Sequence, residues 1–201
     1  MPLTLPTFLH APNIAVPHAF TTRAGGVSPE PYASLNLGLS SGDSEANVEA
    51  NRARALDAFG SKPDQCCAFH QIHSARVVRA KPTYFAEEAD ASITDDPTLT
   101  LIVSTADCLP ILFHDPIQGV VAAAHCGWRG TVKGMVEAVL DAFAGYGSHM
   151  QDIHAAIGPG ISRANYQVGA EVIEAFTEAG FPKTIYEPDG TGRYLLDVAA
   201  A

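Results

Sequence analysis

The stretch Val120-Val-Ala-Ala-Ala-His-Cys-Gly-Trp-Arg-Gly130 changes from a continuous apolar run to a polar turn. A run of small and β-branched apolar residues without polar alternation is typical of a strand buried on both faces. A helical pattern starts near Thr131, so His125 lies where the strand ends, and Arg129 lies in the turn into the helix. The stretch therefore predicts a sheet-core protein that can hold a metal and an anion side by side.

The length and composition are those of one globular domain. The chain has 201 residues, of which 47% are hydrophobic and 17% charged, and this length suffices for a substantial core. The formal net charge of -10 disfavours a general nucleic-acid binder, since such proteins carry a basic face. The chain shows no apolar run of about 18 residues and no signal peptide in residues 1–6. We therefore expect a cytoplasmic protein without nucleic-acid or membrane partners.

Buried-strand runs and helical spacing share the chain, which predicts a mixed α and β protein with a sheet core and covering helices. The turn-rich stretch from Arg23 to Gly42 is the longest irregular one, and a loop this long in a compact domain is usually functional. Strands are predicted at 66–70, 76–80, 98–104, 109–114, 120–124, 153–157 and 194–198, and helices at about 44–59, 131–145 and 172–180.

Three candidate metal ligands lie beside predicted strands. His73 follows a short strand, Cys108 lies in the turn between two buried strands, and His125 ends a third. Two imidazoles and one thiolate suit Zn²⁺, and three protein ligands leave a position for water or substrate. Their wide separation fits no local zinc-finger spacing. The pattern alone therefore also allows two structural histidines and one buried cysteine.

Arg129 is a candidate anion-binding group. The helix that follows presents free N–H groups and a partial positive charge at its start. Gly127 and Gly130 allow a ligand to approach the backbone closely. Arg23 and Arg52 are further candidates, although each of these arginines can instead be structural.

Two carboxylates can support such a site. Asp107 directly precedes Cys108, and Asp90 lies in an Ala-Asp-Ala stretch. Either carboxylate can orient a metal ligand or exchange a proton.

A series of short motifs runs through the chain: Phe20-Thr-Thr-Arg-Ala-Gly-Gly-Val-Ser28, Tyr32-Ala-Ser-Leu-Asn-Leu-Gly38, Gly42-Asp43, Asn51-Arg52, Gln71-Ile-His-Ser74, Ala89-Asp-Ala91, Thr105-Ala-Asp-Cys-Leu-Pro110, His125-Cys-Gly-Trp-Arg-Gly130, Ile157-Gly-Pro159 and Tyr166-Gln-Val-Gly169. The motifs and their order resemble those of the YfiH-like proteins. That family was formerly described as laccase-domain or multicopper polyphenol oxidases and is now regarded as a family of purine nucleoside phosphorylases.

The resemblance implies an α+β fold, an α/β/β/α layered sandwich with mixed β-sheets, and not a cupredoxin fold. It implies a single domain over residues 1–201. Family members continue further along the chain, so this domain is expected to lack their C-terminal segment.

The resemblance also implies zinc as cofactor, with purine nucleosides and phosphate as substrates. The expected reaction is phosphorolysis of adenosine, inosine or S-methyl-5'-thioadenosine, with adenosine deamination in some members, by a monomer or homodimer. The implied metal ligands are His73, Cys108 and His125; the catalytic candidates are Asp107, Cys108 and Arg129; the substrate and phosphate candidates are Arg23, Asn36, Arg52, Gln71 and Arg129.

Three other functions compete with this interpretation. The first is a copper polyphenol oxidase, which is disfavoured because one Cys/His₂ set cannot build several copper centres. The second is a cysteine- or zinc-dependent amidase or hydrolase acting on cell-wall precursors, with Cys108 as the nucleophile in its cysteine form. The third is a non-enzymatic protein that uses zinc only for structure.

Overall fold

The computed structural model describes residues 4–201, and of Tyr84 only the backbone. Residues 1–3 lie outside the described residues. They are the first residues of the predicted domain and of the N-terminal stretch 1–6. Among residues 4–201, no helix has the length and apolar character needed to cross a membrane. The helices are α1 (Glu45–Phe59), α2 (Trp128–Val132), α3 (Met135–Ala144) and α4 (Ala170–Glu178).

The strands are short, and the longest have seven residues. They are β1 (Phe8–Leu9), β2 (Phe20–Thr21), β3 (Cys66–His70), β4 (Val77–Arg79), β5 (Thr83–Glu88), β6 (Ala91–Thr94), β7 (Thr100–Ile102), β8 (Leu109–Asp115), β9 (Val120–Cys126), β10 (His154–Ile157), β11 (Gln167–Val168), β12 (Tyr186–Pro188) and β13 (Tyr194–Leu196).

The central sheet has five strands in the order β10-β8-β9-β6-β4. Its neighbours are antiparallel except β4, which runs parallel to β6. A second sheet, in the order β5-β3-β7, is parallel throughout. The strands β11-β13-β12 and β1-β2 form two smaller antiparallel sheets.

These elements stack in layers. On one face of the central sheet, α3 contacts β4, β6 and β9 and buries Met135, Val139 and Phe143. Elsewhere on the central sheet, Val78 of β4 packs into the cluster formed by buried side chains of β3. On the second sheet, the guanidinium of Arg52 in α1 lies 4.8 Å from the ring centroid of Phe85 in β5. The predicted α+β layered sandwich with mixed sheets is confirmed.

The helix predicted from about Thr131 is divided in two. Its first part, α2, already begins at Trp128 with Gly127 as the N-cap. Gly134 then has φ 79°, a left-handed backbone that glycine adopts without steric cost. The break separates the turn that carries Arg129 from the helix that packs on the sheet.

Candidate metal centre

Of the three predicted metal ligands, His125 lies in β9 of the central sheet, whereas His73 and Cys108 lie in loops. In the antiparallel pair β8–β9, Leu109 lies opposite Cys126, so Cys108, just before β8, lies near His125, close to the end of β9. His73 follows β3 of the second sheet. The cluster therefore lies where the loop that leaves the second sheet reaches the ends of β8 and β9 of the central sheet.

The structure brings His73, Cys108 and His125 together. Their ligand atoms all lie within 4.8 Å of one another, and the two imidazole centroids are 4.9 Å apart at an interplanar angle of 79°. Bonds of about 2.0–2.3 Å to one ion keep two ligand atoms within about twice that distance, so these separations are close to those around one metal. His125 is buried, Cys108 is partly buried and His73 is exposed. The cluster can therefore bind a metal on a side reached by solvent.

Gly127 leaves the space that the thiol and one imidazole occupy. A Cβ atom at this position would lie 2.7 Å from Cys108 Sγ and 3.0 Å from His73 Cδ2. The first distance is far inside van der Waals contact, so any side chain here would displace a candidate ligand. A glycine is thus required at the cluster itself.

A buried carboxylate connects the two histidines. Asp90, 1% exposed, lies with Oδ1 2.9 Å from His125 Nδ1 and accepts from the His73 backbone N–H at 2.9 Å. Its Oδ2 accepts from the Ser74 N–H at 2.8 Å, the Ser74 hydroxyl at 2.7 Å and the Ile72 N–H at 3.2 Å. These hydrogen bonds all involve the carboxylate of Asp90, so one buried side chain holds both His125 and the backbone at His73 in place.

The pKa values of His73 and Asp90 favour metal binding, whereas that of Cys108 does not. Burial lowers the pKa of His73, and neighbouring His125 lowers it further, so the imidazole is neutral and can donate its lone pair. Burial alone would raise the pKa of Asp90, but the hydrogen bonds from Ser74 and His125 outweigh it and the pKa lies below its usual range. Burial, with the charge of Asp107, raises the pKa of the Cys108 thiol. A bound cation would reverse this, because coordination deprotonates a thiol.

A pocket adjoins the thiol of Cys108. Its wall includes Trp128, Ile161 and Tyr166, and Asp107 lies at its exposed side. Burial raises the pKa of Tyr166, and Cys108 and Asp107 add to the effect. Tyr166 begins the motif Tyr166-Gln-Val-Gly169, but the sequence predicts no role for it. Only the folded chain places residue 166 beside residue 108.

The predicted anion-binding arginines lie in different settings. Arg129 is exposed in the first turn of α2, with its guanidinium 4.3 Å from the Trp128 ring centroid. Arg23 Nε donates to the carbonyl of Ala33 at 2.8 Å, and Arg52 Nε donates to the carbonyl of Leu37 at 2.8 Å. Arg23 and Arg52 therefore brace the long loop, whereas Arg129 lies next to the pocket wall.

Asn36 and Gln71 use their amides to hold backbone segments. The Asn36 amide donates to Ser41 Oγ at 2.7 Å and to Asp43 Oδ2 at 3.1 Å. Gln71 pairs twice with the backbone of Ser104, donating at 2.7 Å and accepting at 2.8 Å. A structural role for both is evident, and their role in substrate binding stays a prediction.

Comparison with known proteins agrees with the fold and identifies the family. The model of the family described as "Multi-copper polyphenol oxidoreductase laccase" matches residues 17–201. A Deinococcus radiodurans protein named purine nucleoside phosphorylase is 45% identical over 96% of this chain and 75% of its own length. The Escherichia coli K12 protein named purine nucleoside phosphorylase YfiH is 39% identical over 89% of this chain and 72% of its own length. The crystal structure of the Bacillus licheniformis hypothetical protein YfiH superimposes with a TM-score of 0.83 at 32% identity, covering 90% of this chain and 73% of that one.

The layered fold defines a class of α+β proteins distinct from the cupredoxin barrels. Within that class, the chain belongs to the YfiH-like family, whose family model carries the laccase description. The family resemblance found in the sequence is confirmed.

Proposed function

We propose that this protein is a zinc-dependent purine nucleoside phosphorylase. Its substrates are adenosine, inosine or S-methyl-5'-thioadenosine together with phosphate. The observation that carries the proposal is the cluster of His73, Cys108 and His125, open to solvent on one side, in a chain whose relatives are named for this activity. Two nitrogen donors and one sulfur donor suit zinc, and three protein ligands are typical of catalytic rather than structural zinc sites.

His73, Cys108 and His125 hold the metal in this proposal. When bound, zinc supplies a Lewis acid that polarises or orients an oxygen nucleophile. The pocket beside Cys108 has a volume of only about 20 Å³, enough for a water molecule but not for a purine. In this proposal the purine base therefore lies on the solvent-exposed side of the cluster, where His73 is exposed.

The reaction requires a positioned phosphate and a proton for the leaving base. A phosphate oxygen forms a bond to C1' of the sugar as the C1'–N9 bond breaks. The electron pair of the broken C1'–N9 bond goes to N9 of the purine. Arg129 binds the phosphate by charge-assisted hydrogen bonds, and the predicted roles of Arg23 and Arg52 are the same. Asp107, next to Cys108, relays a proton from solvent to the leaving purine.

Several competing functions are less well supported. A cysteine nucleophile needs a lowered pKa, whereas burial and Asp107 raise the pKa of Cys108. A copper oxidase needs several centres, whereas one group of three ligating side chains lies within reach of a single ion among residues 4–201. Adenosine deamination is an outcome of the nucleoside assay below, and a purely structural zinc is an outcome of metal removal.

The proposal is tested by incubating adenosine with the zinc-loaded protein, with and without phosphate, and separating the products. We expect adenine and ribose 1-phosphate only when phosphate is present. Inosine formed without phosphate would instead indicate deamination. Absence of any nucleoside turnover from a protein with stoichiometric zinc would refute the proposed activity.

We also propose a cytoplasmic location and a monomeric or homodimeric state. The four cysteines are unpaired, as expected in a reducing compartment. Analytical ultracentrifugation measures the oligomeric state, and a trimer or larger assembly would contradict this part of the proposal.

A further inference from the structure

We propose that Asp90 is the positioning residue that prepares both histidine ligands, by fixing the ring of His125 and the backbone of His73. This inference rests on the proposed metal site but not on the reaction catalysed there. It follows from the fact that a single carboxylate accepts hydrogen bonds from both ligands.

The first part concerns which ring nitrogen of His125 carries the proton. An ionised carboxylate only accepts hydrogen bonds, so the 2.9 Å contact between Asp90 Oδ1 and His125 Nδ1 requires the proton on Nδ1. The Nε2 lone pair is then left for the metal, as is usual for a histidine ligand backed by a carboxylate. The His125 backbone N–H also donates to the carbonyl of Asp90 at 2.7 Å. Ring and backbone of this ligand are thus held by one residue.

The second part concerns the backbone at His73. Its φ is 56°, a left-handed conformation that is unfavourable for residues with a side chain. The N–H groups of Ile72, His73 and Ser74 all point at the Asp90 carboxylate. From the other side, Lys133 Nζ donates to the carbonyl of His73 at 3.1 Å. The carboxylate thus stabilises the turn that presents the second imidazole.

An asparagine cannot replace Asp90 in both tasks. If its NH₂ group occupied the Oδ2 position, it would face the N–H groups of Ile72 and Ser74. If it occupied the Oδ1 position, it would face the His73 N–H and donate to His125 Nδ1, which moves the ring proton to Nε2. Either orientation disturbs one ligand, so D90N tests the two tasks together.

The test compares zinc affinity, by chelator competition, in the full chain and two variants. We expect D90N to bind zinc about 10–100-fold more weakly, the usual effect of removing the partner of a metal ligand. The matched control is D115N, because Asp115 is also fully buried and accepts the N–H groups of Ile117 and Gln118 rather than those of a candidate metal ligand. Its zinc affinity should match the wild type. Equal losses of zinc affinity in both variants would overturn the proposal. The loss in D90N would then be the general effect of changing a buried carboxylate and not the loss of support for the two histidines.

A spectroscopic measurement on the metal-free wild type does not depend on a variant folding. Long-range ¹H–¹⁵N NMR distinguishes the two neutral tautomers of an imidazole. We expect the Nδ1–H form for His125 in the wild type and a shift towards Nε2–H in D90N. An Nε2–H form in the wild type would overturn the proposal. This measurement uses neither zinc nor nucleoside. Its result therefore does not depend on whether the protein catalyses phosphorolysis, and the two proposals can fail separately.

Discussion

At the scale of single residues, the centre depends on an absent side chain as much as on its ligands. The space at Gly127 is filled by the thiol of Cys108 and the ring of His73. Packed interiors do not absorb an extra methyl group without movement. The side chains that can bind the metal are therefore the ones that must move.

We therefore expect G127A to weaken zinc binding by about tenfold or more, because ligands that are displaced from the coordination geometry contribute much less to zinc affinity. Chelator competition measures the effect. G38A is the matched control, since a Cβ there would meet Asn36 Oδ1 at an ordinary 3.5 Å. If G127A bound zinc as tightly as G38A, the thiol of Cys108 would not be a ligand.

Arg129 is expected to act on phosphate rather than on the metal. Its guanidinium lies over Trp128 beside the pocket, and a hydrogen bond to a charged group contributes about 1.5–3 kcal/mol. R129A should therefore raise the KM for phosphate by roughly 10-fold or more, with zinc affinity unchanged.

Steady-state kinetics with varied phosphate measures that change. R79A is its control, because Arg79 also lies over an aromatic ring, that of Tyr146 at 5.6 Å, and pairs with Asp95. An unchanged phosphate KM in R129A would remove this arginine from the proposed site.

At the scale of elements, the sequence predicted the parts that depend on local patterns. The hairpin β8–β9 and α1 appear at or near the predicted positions because apolar runs and cap residues encode them. Ser44 caps α1 by accepting from the Asn47 N–H at 3.2 Å, and Gly60 ends the helix. These features need no knowledge of distant residues.

The parts that were not predicted depend on long-range packing. Strand β6 was missed because it has four residues, two of them polar, and is buried only by its neighbours. The position of His73 in a loop that connects the two larger sheets also escaped prediction, because sequence separation says nothing about which strands pair. The same reason hid the full set of donors around Asp90.

The long loop from Arg23 to Gly42 is joined to α1 through Asp43. Hydrogen bonds, first from the Ser28 hydroxyl and then from Asn47 and Asn36, outweigh burial and lower the pKa of Asp43 to about 2. A pKa lowered by folding means that the ionised carboxylate stabilises the native state. That stabilisation is complete above the unfolded value near 3.8 and is lost as the pH falls towards about 2.

We therefore expect D43N to be less stable than the wild type at neutral pH, with the difference shrinking between about pH 4 and pH 2. Urea unfolding at several pH values measures it. The control is D57N, a change at an exposed position of α1. A D43N deficit that stayed constant down to pH 2 would contradict the assigned pKa.

At the scale of the whole molecule, the candidate centre lies where two sheets meet. His125 belongs to β9 of the central sheet, whereas His73 lies in the loop that leads from β3 of the second sheet to β4 of the central sheet. A metal bound by both would link β9 to this loop in the native state alone. Zinc binding should therefore be measurable as stability as well as activity.

Metal removal separates a catalytic centre from a purely structural one. A ligand that binds only the native state stabilises it by about 2.7 kcal/mol when its free concentration is 100 times its Kd. The fold also has an extensive apolar core beneath α3 and α4, so we expect the chelated protein to lose phosphorolysis while remaining folded, with a lower Tm. Circular dichroism, thermal melts and product analysis on the same sample measure this, and re-addition of zinc should restore both Tm and activity. Cooperative unfolding on chelation at room temperature would instead favour structural zinc.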